Sequence, residues 1–565
     1  MKKKLSLLAV IGVFGAVLSS QAQTRVEPML TTSWHQKTPF NNECPSGSAA
    51  GCGAIAVAQI MNYYKIPAHG FGHVVYDNVD VDFEARSFDW ANIRDRYPVG
   101  GYSSTEAQAV ASLVFQVGAA MKMKFDTSSS PRNYASMMWG LQHYLHFSPK
   151  SRYRHRRFYS TAEWIEMLDN ELESGRPVFY RGDHTAPGNP IAGHIYVIDG
   201  RDSEGHYHVN FGHDRAREDK FADLNYLNQG VGAWAGTGSV SYHHRQAMVT
   251  DFYPVEGLTD SDYDRSAVAL HTAIVLGGQP QKSVVEVTRK VHAQFQIRYV
   301  SFVVGRPQLS LGFFQGDELV SVAKTVFNPG FSEGGNRVQM DHDYTLPTHL
   351  DDGDYVMSIV TRDDDESPWV RGWDNAPNRI PVSVKNDVYT FHMPSYHNQE
   401  TRLYLTDSEI AEVADGKTDG KTLELTVCNS SDNNFEDSLR LVVKAGGKEK
   451  LYEMATSIYE GQNVTYRFFV ADSDIVTRNG YAVEAFYKET STGEWVLLQN
   501  QAAGVSLPTD VAFSGVEVWT LNGQLIRRIR HDDLEVSYSV ALSSLPKGVY
   551  IIRDKNGTRR FVKRL

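Results

Sequence analysis

Two periodicities divide this chain. Up to about residue 256, stretches with helical spacing of apolar residues alternate with short strands; beyond it, apolar and polar positions alternate between turn signals. The segment "GCGAIAVAQIMNYYK" is apolar on nearly every face and has no Gly or Pro after Gly53. It predicts a buried helix that Pro67 stops at Ile66. "EAQAVASLVFQVGAAMKMKF" and "TAEWIEMLDNELESG" are also helical in spacing, the second opened by Thr161 with Trp164 and Leu168 on one side. "RPVFYRG", "GHIYVIDG" and "HYHVNFG" read as short strands, with "DGRDSEG" as the turn between the last two.

After "DFYPVEGLTDSDYDRS" the helical signals nearly vanish. "SVVEVTRKVHAQFQIRYVSFVV", "QLSLGFF", "DGDYVMSIVTRDDDE", "KTLELTVCN", "LRLVVKAG" and "VTYRFFVAD" have the length and spacing of sandwich strands. The fold class predicted is an α+β unit over residues 23–256 followed by all-β immunoglobulin-like sandwich modules. The modules span 260–400 and 401–507, with a further small β unit over 508–565. A chain of 565 residues is too long for one hydrophobic core, in keeping with this division.

Charge and cysteine count narrow the function. A net charge of −11 without a basic stripe argues against a nucleic-acid partner, since nothing would neutralise phosphates. The start, "MKKKLSLLAVIGVFGAVLSSQAQT", has three lysines, an apolar run from Leu5 to Leu18 and small residues at Ser20 and Ala22. It reads as a signal peptide over 1–22, too short in its apolar run for a membrane anchor. The mature protein is thus expected to be exported and water-soluble. Export permits disulfides, yet only Cys44, Cys52 and Cys428 are present, which excludes a disulfide scaffold and a Cys-rich zinc site. Spacing alone leaves a Cys44–Cys52 bridge open.

Cys52 sits at the first turn of the buried helix. Unsatisfied N–H groups and the positive end of the helix dipole favour thiolate there, and the preceding "GSAAG" lets backbone donors approach a substrate carbonyl. Residue chemistry by itself leaves Cys52 either a nucleophile or an inert buried cysteine. Among 20 histidines, His194 stands at the mouth of the strand "AGHIYVIDG", where it can face a cleft. Alone it is as readily a satisfied histidine; beside Cys52 it becomes a general base. The strand "HYHVNFG" supplies Asn210 as an orienting side chain for the far ring nitrogen.

These residues resemble a family. "GCGAIAVAQIMNYYKIPAHG" is similar to the nucleophile segment of streptopain-type cysteine peptidases, a branch of the papain-like fold. The likeness runs in order through "MLTTSWHQKTPFNNECP", "FDWANI", "VGAAMKMKF", "ELESGRPVFYRG" and "GHIYVIDG", over roughly residues 26 to 255. The resemblance implies a papain-like domain with Cys52 as nucleophile, His194 as base and no cofactor. It puts Asn210 where papain-like enzymes place the orienting side chain, although streptopain relatives also lean on the neighbouring tryptophan. The Cys52 backbone N–H is expected in the oxyanion hole, with Ser46 as a guessed second donor. Met121 and Met123 are expected in the core, with a substrate pocket under "DTSSSPRN" as the alternative use.

Three departures qualify the resemblance. Relatives read Asn-Trp-Gly-Trp-Gly-Gly where this chain has "NFGHDR", so Phe211 and His213 replace two tryptophans, which is expected to admit water to the Cys–His pair. Gly53 stands where relatives commonly carry valine, which is expected to loosen the oxyanion hole. Relatives also carry a propeptide, whereas "TRVEPMLTTSW" follows the expected cleavage site at once. Latency is then expected from the C-terminal modules or a separate inhibitor, unless the enzyme is active once folded.

The end, "VEVWTLNGQLIRRI" with "LPKGVYIIRDKNGTRRFVKRL", resembles C-terminal sorting domains of the type IX secretion route. That implies export across the outer membrane, release or surface attachment, and the secretion machinery, extracellular protein substrates and an inhibitor or host surface protein as partners. The competing function is a surface binding protein that keeps the peptidase fold. In it His206, His208 and His213 would hint at metal or haem, although alternate histidines on an exposed strand are ordinarily solvated.

Overall fold

The structure is a computed structural model. It describes residues 25–499, apart from stretches of which the longest are 186–191, 214–219, 225–241, 301–306, 331–336, 395–401, 406–409, 414–419 and 472–480. Between 515 and 564 it describes the backbone of four strands. The expected signal peptide, residues 1–22, lies outside the described residues.

Among the described residues, four α-helices and ten strands make the N-terminal unit. Helix α1 (Cys52–Tyr64) is buried from Gly53 to Asn62, as a segment apolar on all faces must be, and ends on Lys65 in the left-handed conformation, just ahead of Pro67. Helix α2 (Ser104–Ala120) begins with a reciprocal capping box between Ser103 and Glu106. Helix α3 (Tyr134–Leu145) was not foreseen. Its signal was Asn133, whose side chain accepts from the Ser136 N–H at 2.7 Å, followed by the buried Met137, Met138, Leu141 and Leu145. Helix α4 (Thr161–Glu173) starts one residue earlier than a Thr161 cap implies: Ser160 is the cap, boxed with Glu163.

Two short pairs, β1 (His73–Tyr76) with β2 (Val79–Asp82) and β3 (Met123–Lys124) with β4 (Ser130–Pro131), brace the helices. The main sheet is antiparallel, in the order β5-β10-β6-β7-β8-β9. Its strands are β5 (Arg152–His155), β6 (Val178–His184), β7 (Ala192–Arg201), β8 (Tyr207–Asn210), β9 (Lys220–Ala222) and β10 (His244–Thr250). Side chains alternate across it. Phe179, Ile195, Val197, Ala247 and Val249 pack with α1 in one core, while Tyr180, Tyr196, Ile198 and Met248 pack with Trp164 and Leu168 of α4 in another. This is the α+β unit that the sequence implied, with α1 clasped between helices and sheet.

The all-β half follows. One two-sheet sandwich has Lys290–Tyr299 and Val338–Thr345 at the heart of its first sheet and Gln308–Gln315 and Gly353–Arg362 in its second. Its core gathers Phe295, Leu311, Phe313, Met357 and Phe391. A second sandwich pairs Gly420–Asn429 with Asn463–Ala471 and Phe435–Ala445 with Lys448–Ile458 around Leu425, Leu441 and Phe468. The backbone strands Gly515–Thr520, Leu525–Arg530, Gly548–Asp554 and Arg559–Arg564 form a separate antiparallel sheet.

The second sandwich sits on the N-terminal unit at β10. Tyr459 Oη accepts from the Gln246 N–H at 2.8 Å, and Arg156 lies over the Tyr459 ring at 4.1 Å. Asn434 Nδ2 donates to the carbonyls of Arg156 and Tyr159. Arg157 joins three units: its guanidinium reaches Glu436 of the second sandwich at 3.3 Å and the His271 carbonyl, at the edge of the first, at 3.4 Å. Tyr459→Phe removes an acceptor from a buried amide and should cost about 1–2 kcal/mol, read as an earlier thermal transition of the N-terminal unit.

Candidate active site

The loop before α1 turns on Gly51. Its φ is 86°, and a Cβ there would run into Met123 Cε and stand 2.7 Å from the Ser129 carbonyl oxygen. The Ala50 N–H donates to the Gln36 carbonyl at 3.0 Å and the Ala49 N–H to that of Asp126 at 3.2 Å, so the approach to Cys52 is held from two sides. On its other flank Cys52 has Gly53, where a Cβ would meet Met121 Cε at 2.7 Å and Ile195 Cδ1 at 3.2 Å. Met121 thus fills the space a larger residue would take, and Gly53 fits a tight site rather than loosening one. Met121 and Met123 are both fully buried, the core use the sequence favoured.

Cys52 is a free thiol, as are Cys44 and Cys428, which removes the Cys44–Cys52 bridge. Burial pushes the Cys52 thiol up; the N–H groups of Ile195 and Gly53, the charge of Arg181 and its own N–H pull the other way. The Ile195 N–H donates to Sγ at 3.4 Å. The expected thiolate is therefore not the favoured resting form, because desolvation outweighs the helix-end donors. Cys44, beside Glu43, is pushed up to about 12 by burial and that carboxylate, which makes it inert.

His194 stands on β7, next to the residue that touches Sγ. It is 5% exposed, and its Nε2 donates to the Phe211 carbonyl at 2.8 Å. That bond leaves Nδ1 as the basic nitrogen. No hydrogen bond joins Sγ to the imidazole. The ring stacks on His213 at 4.5 Å with planes 10° apart, and Tyr242 and Tyr196 lie at 5.1 Å and 5.8 Å. Burial, then the neighbouring His213, lowers its pKa to about 3, against the Phe211 bond, which raises it. Phe211 is 3% exposed, so the imidazole is kept dry, while Cys52 is only half-buried. The expectation that losing two tryptophans admits water is corrected: Phe211, His213 and the two tyrosines cover the imidazole between them.

Asn210 does not touch His194. It is opposite Val197 in the β7–β8 register and therefore shares the α1 face, while His194 is on the other face with Tyr196 and Phe211. Its amide is used there: Oδ1 accepts from Gln59 Nε2 at 3.3 Å and from the Gly212 N–H, and Nδ2 donates to the Thr32 carbonyl. Asn210 ties α1 to the end of β8, and a backbone carbonyl one residue on holds the ring. Ser46 is likewise not brought to the thiol. It is an exposed residue of the Pro45–Gly47 turn with φ 54°, and nothing connects it to Cys52.

His206 bonds Asp202 and His208 bonds Asp199, while His213 stacks on His194, so the three histidines converge on no common centre. Among the described residues no group of three metal-ligating side chains comes together. What the sequence did not disclose is a buried ion pair, Arg181 with Asp183, on β6 opposite Ile195 and Gly193. A Cβ on Gly193 would stand 2.9 Å from Asp183 Oδ1 and 3.1 Å from Arg181 Nη2, so this pair requires the glycine before His194.

A thiol that accepts from a strand N–H and an imidazole held by a backbone carbonyl, in this chain order on an α+β unit, are the parts of a site of the cysteine-type peptidase class. The chain belongs to the peptidase C10 family, the streptopain family, whose profile matches residues 34–221. It is similar to the thiol protease/hemagglutinin PrtT of Porphyromonas gingivalis, 25% identical over 84% of this chain and 53% of that protein. It is similar to streptopain of Streptococcus pyogenes, 29% identical over 37% of this chain and 53% of that one. Among solved structures, active interpain A cysteine protease of Prevotella intermedia is 32% identical, over 40% of this chain and 95% of that chain, with a TM-score of 0.36. The chain spans about half the length of the curated relatives it matches.

Proposed function

We propose that this protein is a secreted cysteine endopeptidase acting on extracellular proteins. The observation that carries the reading is Cys52 Sγ at the N-terminus of α1, in contact with the strand residue next to a dry histidine whose Nε2 is pinned by a carbonyl. In this reading the His194 ring turns from the Tyr196 face towards Cys52, and Sγ attacks the peptide carbonyl carbon as the thiol proton passes to Nδ1. The Cys52 N–H donates to the developing oxyanion. Collapse breaks the C–N bond while His194 returns the proton to the leaving amine, and water then cleaves the thioester with His194 again taking a proton. Both groups rest neutral, so the proton moves in the course of attack instead of beforehand.

Export is supported by the N-terminal apolar run with its lysines, and the sorting reading by the motifs of residues 508–565 and the four-strand sheet they contain. The division at 23–256, 260–400, 401–507 and 508–565 is supported by the distinct sheets and by cores that meet where Ala269, Val300 and Trp373 join the N-terminal core and Phe158 joins that of the first sandwich. The test is covalent: an epoxide or iodoacetamide should label Cys52 in the folded protein, and Cys52→Ala should abolish casein cleavage. Failure of the folded protein to label removes the peptidase reading.

A second reading has its own support. The neutral thiol and the depressed imidazole suit a catalytically impaired homologue that acts through its β modules as a surface binding protein. The relative matched over 84% of this chain carries hemagglutinin in its name. Equal adhesion by wild type and Cys52→Ala, with no proteolysis by either, would favour it.

A further inference from the structure

The Cys–His pair lacks a usual support. His194 has a carbonyl on one nitrogen and a second imidazole stacked on its face, and among the described residues no carboxylate hydrogen-bonds to it. An imidazolium formed there is opposed by burial and by His213, so it is a poor counter-charge for a thiolate. A permanent cation lies on the other side of the strand. Arg181 is opposite Ile195, the residue whose N–H meets Sγ, and both project to the α1 face. Its guanidinium is buried over the Tyr134 ring at 4.7 Å and paired with Asp183. Burying such a pair is costly and seldom stabilises a fold more than apolar packing would, and the same strand face carries Phe179 two residues earlier.

Building on the peptidase reading, we infer that Arg181 is a positioning residue for the nucleophile: its fixed charge holds the Cys52 sulfur reactive, and Asp183 sets how much of that charge the sulfur feels. Arginine suits this task because it stays protonated at any pH at which the protein is folded. The groups whose charge reaches the thiol are Arg181 on β6, Tyr134 on α3 and Tyr242 ahead of β10; Tyr153 on β5 and Asp183 on β6 adjoin Arg181, and His194 on β7 has His213 stacked on it. Arg181 is the one permanent cation of this set. The pair also reaches outward: Asp183 is opposite His244 on β10, and Ser457 of the second sandwich bonds His244 Nδ1 at 2.9 Å.

The test is the pH profile of Cys52 alkylation by iodoacetamide in the full chain, with the labelled site read by mass spectrometry. Arg181→Gln should move the midpoint to higher pH and slow labelling about tenfold at pH 6. Asp183→Asn should move it the other way, since it frees the guanidinium from its counter-charge while keeping a hydrogen-bond acceptor. The double variant Arg181→Met with Asp183→Leu, which replaces the pair by apolar volume, should fold and follow Arg181→Gln. Opposite shifts of the two single variants support the inference, and if Arg181→Gln does not fold, the Asp183→Asn and double-variant profiles carry the same contrast. Unmoved midpoints, or shifts in the same direction, overturn it and leave the peptidase reading intact. A folded wild type that does not label overturns both.

Discussion

A Gly51→Ala variant is expected to lose both stability and Cys52 reactivity, although it adds one methyl group and removes no functional atom. Gly51 has φ 86° and ψ 139°, a conformation closed to residues with a Cβ. The added carbon would collide with Met123 Cε, the end of a flexible side chain, and with the Ser129 carbonyl oxygen, which belongs to backbone. That oxygen cannot swing away, because the loop around it is fixed by the Ser128 and Ser129 N–H bonds to Asp126 Oδ1, both 2.9 Å. Strain and overpacking together are on the order of 3 kcal/mol. The relief available is to shift the start of α1, which carries Cys52 away from the Ile195 N–H. Thermal melting and iodoacetamide labelling should show an earlier transition and labelling at least tenfold slower. Adding Met123→Ala should recover little, since it leaves both the φ and the Ser129 clash in place. Wild-type labelling in Gly51→Ala would contradict this account of the loop.

Acid should unfold the N-terminal unit well before its carboxylates are all protonated. Burial holds His194 at about 3 and His244 at about 2, and keeps His155 well below its ordinary value. In the unfolded chain each returns to about 6.5. As pH falls below 6.5 the unfolded state binds protons that the folded state refuses, so stability falls; the loss levels off only below the folded values near 3 and 2. Each histidine contributes up to about 1.4 kcal/mol per pH unit within that window. Asp169 and Asp183, raised by burial, act in the opposite sense but are outnumbered. Melting temperatures at pH 7, 6 and 5 should decline steeply. His244→Gln should flatten the slope, because His244 Nε2 is buried without a partner and gains nothing by staying. A transition that holds its temperature from pH 7 to 4.5 would refute the burial of these rings.

Much of the architecture could be read from local pattern. The run from Gly53 to Ile66 is apolar all round, and a helix with no polar face has nowhere to lie but inside. The change of period after residue 256 marks the passage to sandwiches, because strands with one buried face alternate and buried helices do not. Helix α3 was missed although Asn133 caps it, since "NYASMMWGLQHYL" follows a Ser- and Pro-rich stretch that reads as loop. Cys52 and His194 were singled out by their chemistry and by their places at the start of a helix and of a strand.

The details around them were not local. Whether Asn210 faces His194 depends on the register of β8 against β7, and a step of one residue reverses every side chain. That register handed the ring to the Phe211 carbonyl, which has no signature in sequence because every residue carries one. The dryness of the imidazole comes from Tyr242 and His213 arriving from segments remote from α1. The Arg181–Asp183 pair looked like ordinary polar residues near a strand end until folding buried them beside the thiol. By itself, then, the sequence determined which elements form and which residues carry chemistry, since periodicity and side-chain type act over a few residues. Only the tertiary structure decided which groups meet and how they are charged, because register, burial and desolvation belong to contacts between distant parts of the chain.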